Sequence, residues 1–152
     1  MSRRVLALSA VLVALLLTAF APAPFPRREA RGDSLSLKEL IGDYRATSLV
    51  QTGSNQVNVQ PSTNGVTHVS ITSTQWIFNK NNSPTTYDLR VDNARKPVEM
   101  NFMYVGQKDP YGRAIVRREG NKLRVIYNWG TQRPTGFENQ PGGYWDLTLV
   151  RE

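Results

Sequence analysis

From Gly42 to the end of the chain, apolar and polar residues alternate with the period of strands that each turn one face to a core. In VEMNFMY, Val98, Met100, Phe102 and Tyr104 share a face opposite Glu99 and Asn101. In KLRVIYNW, Leu123, Val125, Tyr127 and Trp129 oppose Arg124 and Asn128, and in the last segment Trp145, Leu147 and Leu149 oppose Tyr144, Asp146 and Thr148. The pattern predicts eight strands, at about 43–51, 66–72, 75–80, 85–92, 97–105, 112–119, 122–129 and 143–151. Ahead of them, SLSLKELIG carries Leu37, Leu40 and Ile41 on one helical face, a serine for the N-cap and Gly42 as the stop, which predicts one short helix.

Eight consecutive antiparallel strands with one apolar face each leave two edges unpaired unless the sheet closes. The expected fold is therefore all-β: an eight-stranded antiparallel up-and-down barrel with a short N-terminal helix plugging one end. A two-sheet sandwich is the alternative. In a meander the connections alternate between the two ends. The odd ones, 52–65, 81–84, 106–111 and 130–142, are the longer on average and include two Gly-, Pro- and Asn-rich loops, which marks their end as the mouth. Glu119, Gly120, Asn121 and Lys122 read as a tight hairpin turn at the other end.

The segment before the domain changes the picture of where the protein works. Arg3 and Arg4 precede an apolar run over 5–20, the order of a secretory signal, with Ala19 and Ala21 as small residues for cleavage. Pro22 and Pro24 disfavour cutting there, so an uncleaved anchor is the alternative, and membrane association is expected only if the segment is retained. The expected organisation is a signal over 1–21, a polar linker over 22–33 and one domain over 34–152, exported to the periplasm or secreted. With no cysteine in the chain, such a domain is held by its core alone. The net charge is +7, but five arginines lie before residue 34 and the domain's own basic residues are dispersed. That distribution reads as a solvated surface and predicts no nucleic-acid partner.

The order of a short helix, Gly42-Asp43-Tyr44, a meander with KPVEMNF in its fifth strand, the loop Arg133-Pro134-Thr135-Gly136-Phe137 and a final strand closing in Leu149-Val150-Arg151-Glu152 resembles a family of small secreted, uncharacterised lipocalin-like domains expanded in planctomycete bacteria. The resemblance covers roughly 35–152. It implies a lipocalin-like barrel and export, and no enzymatic activity. The chain departs from the family in having Tyr44 where Gly-x-Trp is usual.

Barrel geometry adds an expectation at that position. The first strand begins and the eighth ends at the plugged end, so Tyr44 and Arg151 should meet in a cation-on-ring contact, the alternative being a frayed terminal arginine in solvent. Arg133, Pro134 and Phe137 are expected to fasten the loop structurally: proline restricts one dihedral, the ring anchors apolar surface and the guanidinium caps loop carbonyls.

Candidate chemistry is sparse. His68 is the only histidine and is expected on the solvent face, which leaves no material for a His-rich metal site. No nucleophile elbow, phosphate loop or zinc-protease motif occurs, and the acids are scattered, so neither catalytic residues nor a metal or cofactor is predicted. The aromatic residues are the informative set. Phe78, Tyr87, Phe102, Tyr104, Tyr127, Trp129 and Trp145 fall on inward positions or toward the mouth. They either fill the barrel or line a pocket, since an eight-stranded interior has room for packing or for one small ligand. The expected function is that of an exported, non-enzymatic barrel binding a small hydrophobic or amphipathic molecule at its long-loop end, or engaging a cell-envelope partner there. The alternative is a packed structural module without ligand.

Overall fold

The computed structural model describes residues 35–52, 63–138 and 140–152, all within one compact unit, Arg31–Glu152. Residues 1–34, with the expected signal over 1–21 and linker over 22–33, lie outside the described residues, as does most of the connection over 52–65. A four-residue helix α1 (Leu37–Leu40) precedes eight strands: β1 (Gly42–Gln51), β2 (Val66–Ile71), β3 (Gln75–Lys80), β4 (Ser83–Asp92), β5 (Val98–Tyr104), β6 (Gly112–Glu119), β7 (Lys122–Asn128) and β8 (Trp145–Arg151). Each strand pairs antiparallel with the next and β8 returns to β1, giving a closed barrel with no free edge.

Two bulges reconcile the sequence with closure. In β1 the inward residues Tyr44 and Ala46 are followed by Leu49, an odd step, and the register against β8 shifts between Ala46 and Ser48. In β2 a shift between Val66 and His68 keeps Val66 and Val69 both buried. An extra residue in one strand restores the inward face and bends the wall, as barrel curvature requires. The turn between β3 and β4 is tighter than the expected 81–84. It is Asn81 and Asn82 alone, both at positive φ, so Ser83 and Pro84 already belong to β4. Asparagine is among the few residues that tolerate this conformation, which two-residue hairpins demand.

The core fills the barrel from the helix end upward. Tyr44, Val69, Trp76, Met100, Phe102, Leu123, Val125, Leu147 and Leu149 are all essentially inaccessible to solvent. Trp76 lies against Phe78 and Phe102 at centroid distances of 5.5 and 5.2 Å. Its indole N–H finds no acceptor among the described residues, a cost of ~1–3 kcal/mol that the ring contacts offset.

The start of helix α1 is held by Glu39, whose carboxylate accepts from the Ser36 hydroxyl and backbone N–H at 2.7 and 2.8 Å. Leu35, Leu37 and Leu40 pack on the barrel core, whereas Ile41, expected on the same face, is exposed because it is the C-cap and has left the helical path. Three contacts tie this segment to the barrel. The Tyr44 hydroxyl donates to the Leu40 carbonyl at 2.8 Å, Arg118 donates to the Glu39 carbonyl at 2.7 Å, and Arg151 donates to the Ile41 carbonyl. Tyr44 pairs with Arg151 in the seam, and the guanidinium sits 5.7 Å above the ring, the contact that barrel geometry predicts. Gly42 makes room for it. Its φ is +149°, and a Cβ there would lie 2.9 Å from Arg151 Nη2.

The connection after β7 does not stay at the mouth. It runs down the outer wall, because Ile115 and Ile126 form an outward apolar pair across β6 and β7 that needs cover. Tyr144 and Phe137 supply it. Phe137 is in turn capped by Arg117, 4.3 Å from the ring centroid. Arg124 joins the loop to β8, with Nη2 2.7 Å from Asp146 Oδ2, Nη1 3.0 Å from Glu138 Oε1 and a bond to the Phe137 carbonyl. Arg133 fastens the loop as expected, but on different acceptors: the carbonyls of Met100 and Ala114, in β5 and β6, at 2.9 and 2.8 Å, with Glu99 3.1 Å from Nε. Burial pushes its pKa down, yet these oxygens face a charged guanidinium.

Arg151→Ala removes both the ring contact and the bond to the helix C-cap, and should lower stability by ~1–2 kcal/mol. A urea midpoint unchanged from the parent would show that the seam does not depend on this side chain.

Candidate functional site

Six rings, Phe78, Tyr87, Tyr111, Tyr127, Trp129 and Trp145, wall a cleft of about 210 Å³ at the end opposite α1. Leu49 and Val66 complete the apolar lining, and Asn64, Lys80 and Thr85 supply polar groups at the rim. Strand ends place almost all of them: Leu49 leaves β1, Val66 enters β2, Phe78 and Lys80 end β3, Thr85 and Tyr87 begin β4, Tyr127 ends β7 and Trp145 opens β8. The alternation that buries Trp76 therefore brings Phe78 and Lys80 to the cleft in turn.

Five of the seven aromatic candidates line the cleft: Phe78, Tyr87, Tyr127, Trp129 and Trp145. Phe102 does not. It is wholly buried beneath, with its ring 5.6 Å from Trp129 and 6.3 Å from Tyr87, and forms part of the floor's support. Tyr104 does not either. It stands 43 % exposed at the rim, its ring 4.3 Å from that of Tyr111. The reason is position along the strand: β5 reaches past the cleft, so its last inward residue emerges above the wall.

The aromatic wall is ordered by mutual stacking. Tyr87 and Trp129 stack at 5.0 Å and 29°, Tyr111 and Trp129 at 5.3 Å and 27°, and Tyr87 and Tyr111 lie nearly parallel at 6.2 Å and 7°. Such pairs contribute ~0.5–1.5 kcal/mol each beyond their buried area. Gly112 makes the arrangement sterically feasible. A Cβ there would fall 2.6 Å from Trp129 Cε3 and 3.2 Å from Phe102, so any larger residue must expel the indole.

The Tyr87 and Tyr127 hydroxyls stay protonated. Burial raises the pKa of Tyr127 and of Tyr87, and the neighbouring phenols add to it. Tyr104 is pushed up to about 12, first by its side-chain hydrogen bond with Tyr111. The cleft thus presents neutral donors and flat apolar surface, with Lys80 as the one charged residue among the described residues that line it.

Tyr111, Asn64, Thr85 and Lys80 were not among the candidates. Lys80 and Thr85 were readable, since they share inward parity with Phe78 and Tyr87. Tyr111 was not. It precedes β6 on the outward parity and is carried to the cleft by the loop, whose path is set by its N–H donating to the Phe102 carbonyl at 2.8 Å. His68 takes its expected solvent position, 3.2 Å from Glu152. The remaining motif residues, Gly42, Tyr44, Arg133, Pro134, Phe137 and Arg151, lie at the seam and along the outer wall and do not line the cleft. Among the described residues no three of His, Asp or Glu gather in a metal-holding group.

Neither family models, curated proteins nor solved structures yield a match to this chain.

Gly112→Ala should displace Trp129 from its stack, with a loss of ~1–3 kcal/mol in stability and a red shift of tryptophan emission as the indole meets water. Unaltered emission and stability would mean that Trp129 is not held against this backbone.

Proposed function

We propose that this protein is an exported, non-enzymatic carrier barrel that binds one small apolar or amphipathic molecule at its long-loop end. The observation that carries this reading is the aromatic cleft of about 210 Å³ at the mouth. Its volume lies between a dry cavity of ~150 Å³ that admits benzene and the ~300 Å³ at which drug-sized pockets begin, so the cargo is about one ring with a short substituent. Pre-stacked walls favour binding, because little side-chain freedom remains to be lost when the ligand enters. The charged-then-apolar order of residues 1–21 supports export, and the resemblance to secreted lipocalin-like domains points the same way.

A packed envelope module without ligand is the competing function. The filled interior from Tyr44 up to Phe102 favours it. The cleft weighs against it, since six rings around an open space of about 210 Å³ leave the mouth end unpacked.

Native mass spectrometry of the protein purified from its own host should reveal a bound small molecule that is lost on denaturation and is absent from a Trp145→Ala variant. Bare protein, together with no binding across a panel of small aromatics and lipids, would contradict the carrier function and favour the packed module.

A further inference from the structure

Resting on the carrier function, we infer that the mouth cleft selects anionic aromatic ligands, compounds of a single ring bearing a carboxylate or similar acid, with the ring among Tyr87, Trp129 and Trp145 and the acid group on Lys80. Three observations carry this. The first is shape: walls of stacked rings around about 210 Å³ fit a flat group of one ring better than a branched or extended chain.

The second is the placement of Lys80. It follows Trp76 and Phe78 on the same side of β3 and stands exposed at the strand's end, as part of the cleft lining. Among the described residues no carboxylate lies within ion-pair distance of it. Among the described residues the cleft lining contains no Asp or Glu. An exposed cation at the rim of an aromatic cleft, with no carboxylate beside it among the described residues, is a site for a ligand's negative charge.

The third is the state of the phenols. Tyr87 and Tyr127 remain neutral, so their hydroxyls can donate to an acid group and do not repel it. An aromatic wall also suits cations. Here Lys80 opposes one, and no carboxylate in the lining would help to hold it.

The test is calorimetric titration with three probes matched in ring and chain: phenylpropanoate, phenylpropanol and phenylpropylamine. At low salt the acid should bind about three- to fivefold tighter than the alcohol, the advantage of a solvent-exposed ion pair, and the amine weakest. Added salt should shrink the difference. Lys80→Met should bring acid and alcohol to the same affinity, whereas Lys108→Met, a loop cation outside the lining, should leave the preference intact. Equal binding of acid and alcohol by the parent protein, tightest binding of the amine, or a preference that survives Lys80→Met would overturn the charge selection while leaving the carrier function standing. Binding of none of the three would overturn this inference, and the carrier function is then decided by co-purification and the wider panel.

Discussion

The pairing of β1 with β8 is the constraint on which everything else rests. Without it, eight strands of alternating polarity would end in two exposed edges and an open apolar face, and the chain has no disulfide to hold them together. The seam runs from Tyr44 opposite Arg151 to Gln51 opposite Trp145, and it is continued at the mouth by Thr52 N–H donating to the Tyr144 carbonyl at 2.8 Å. At its lower end, the phenol, the guanidinium and Gly42 bind α1 to both closing strands. At its upper end the same two strands each send a residue to the cleft, Leu49 from β1 and Trp145 from β8.

Closure divides the interior into two regions. Large side chains fill it from the helix end to Phe102, close to the capacity of an eight-stranded barrel. Above Phe102 the rings stop interlocking and begin to stack around a space, because Gly112 removes a side chain where Trp129 would otherwise be displaced. The outer wall has its own requirement. Ile115 and Ile126 are apolar on the wrong face for a bare barrel, and the loop after β7 covers them through Phe137, Tyr144 and the Arg124–Asp146 pair. That loop thereby stiffens the two strands whose mouth ends carry Gly112, Tyr127 and Trp129.

Most of this was legible in the sequence, for a physical reason. A barrel wall has one buried face, so period-two alternation marks both the strands and the direction of each side chain, as in β5, β7 and β8. The Tyr44–Arg151 contact followed from topology alone, since closure makes the first and last strands neighbours. What alternation could not show were departures from it. The two bulges, the outward apolar pair of Ile115 and Ile126, and the loop-borne Tyr111 each depend on contacts distant in sequence. Phe102 and Tyr104 had the right parity but the wrong height along the barrel, a coordinate that strand periodicity does not contain.

The measurement that tests the account most directly is an NMR titration of the three tryptophan indole N–H signals with a small aromatic compound. Trp129 and Trp145 line the cleft, whereas Trp76 lies beneath it in the packed core. Saturable shifts of the Trp129 and Trp145 signals are expected, with that of Trp76 nearly still. Three unmoved signals, or a shift confined to Trp76, would contradict a barrel that is packed below and open to a ligand at its mouth.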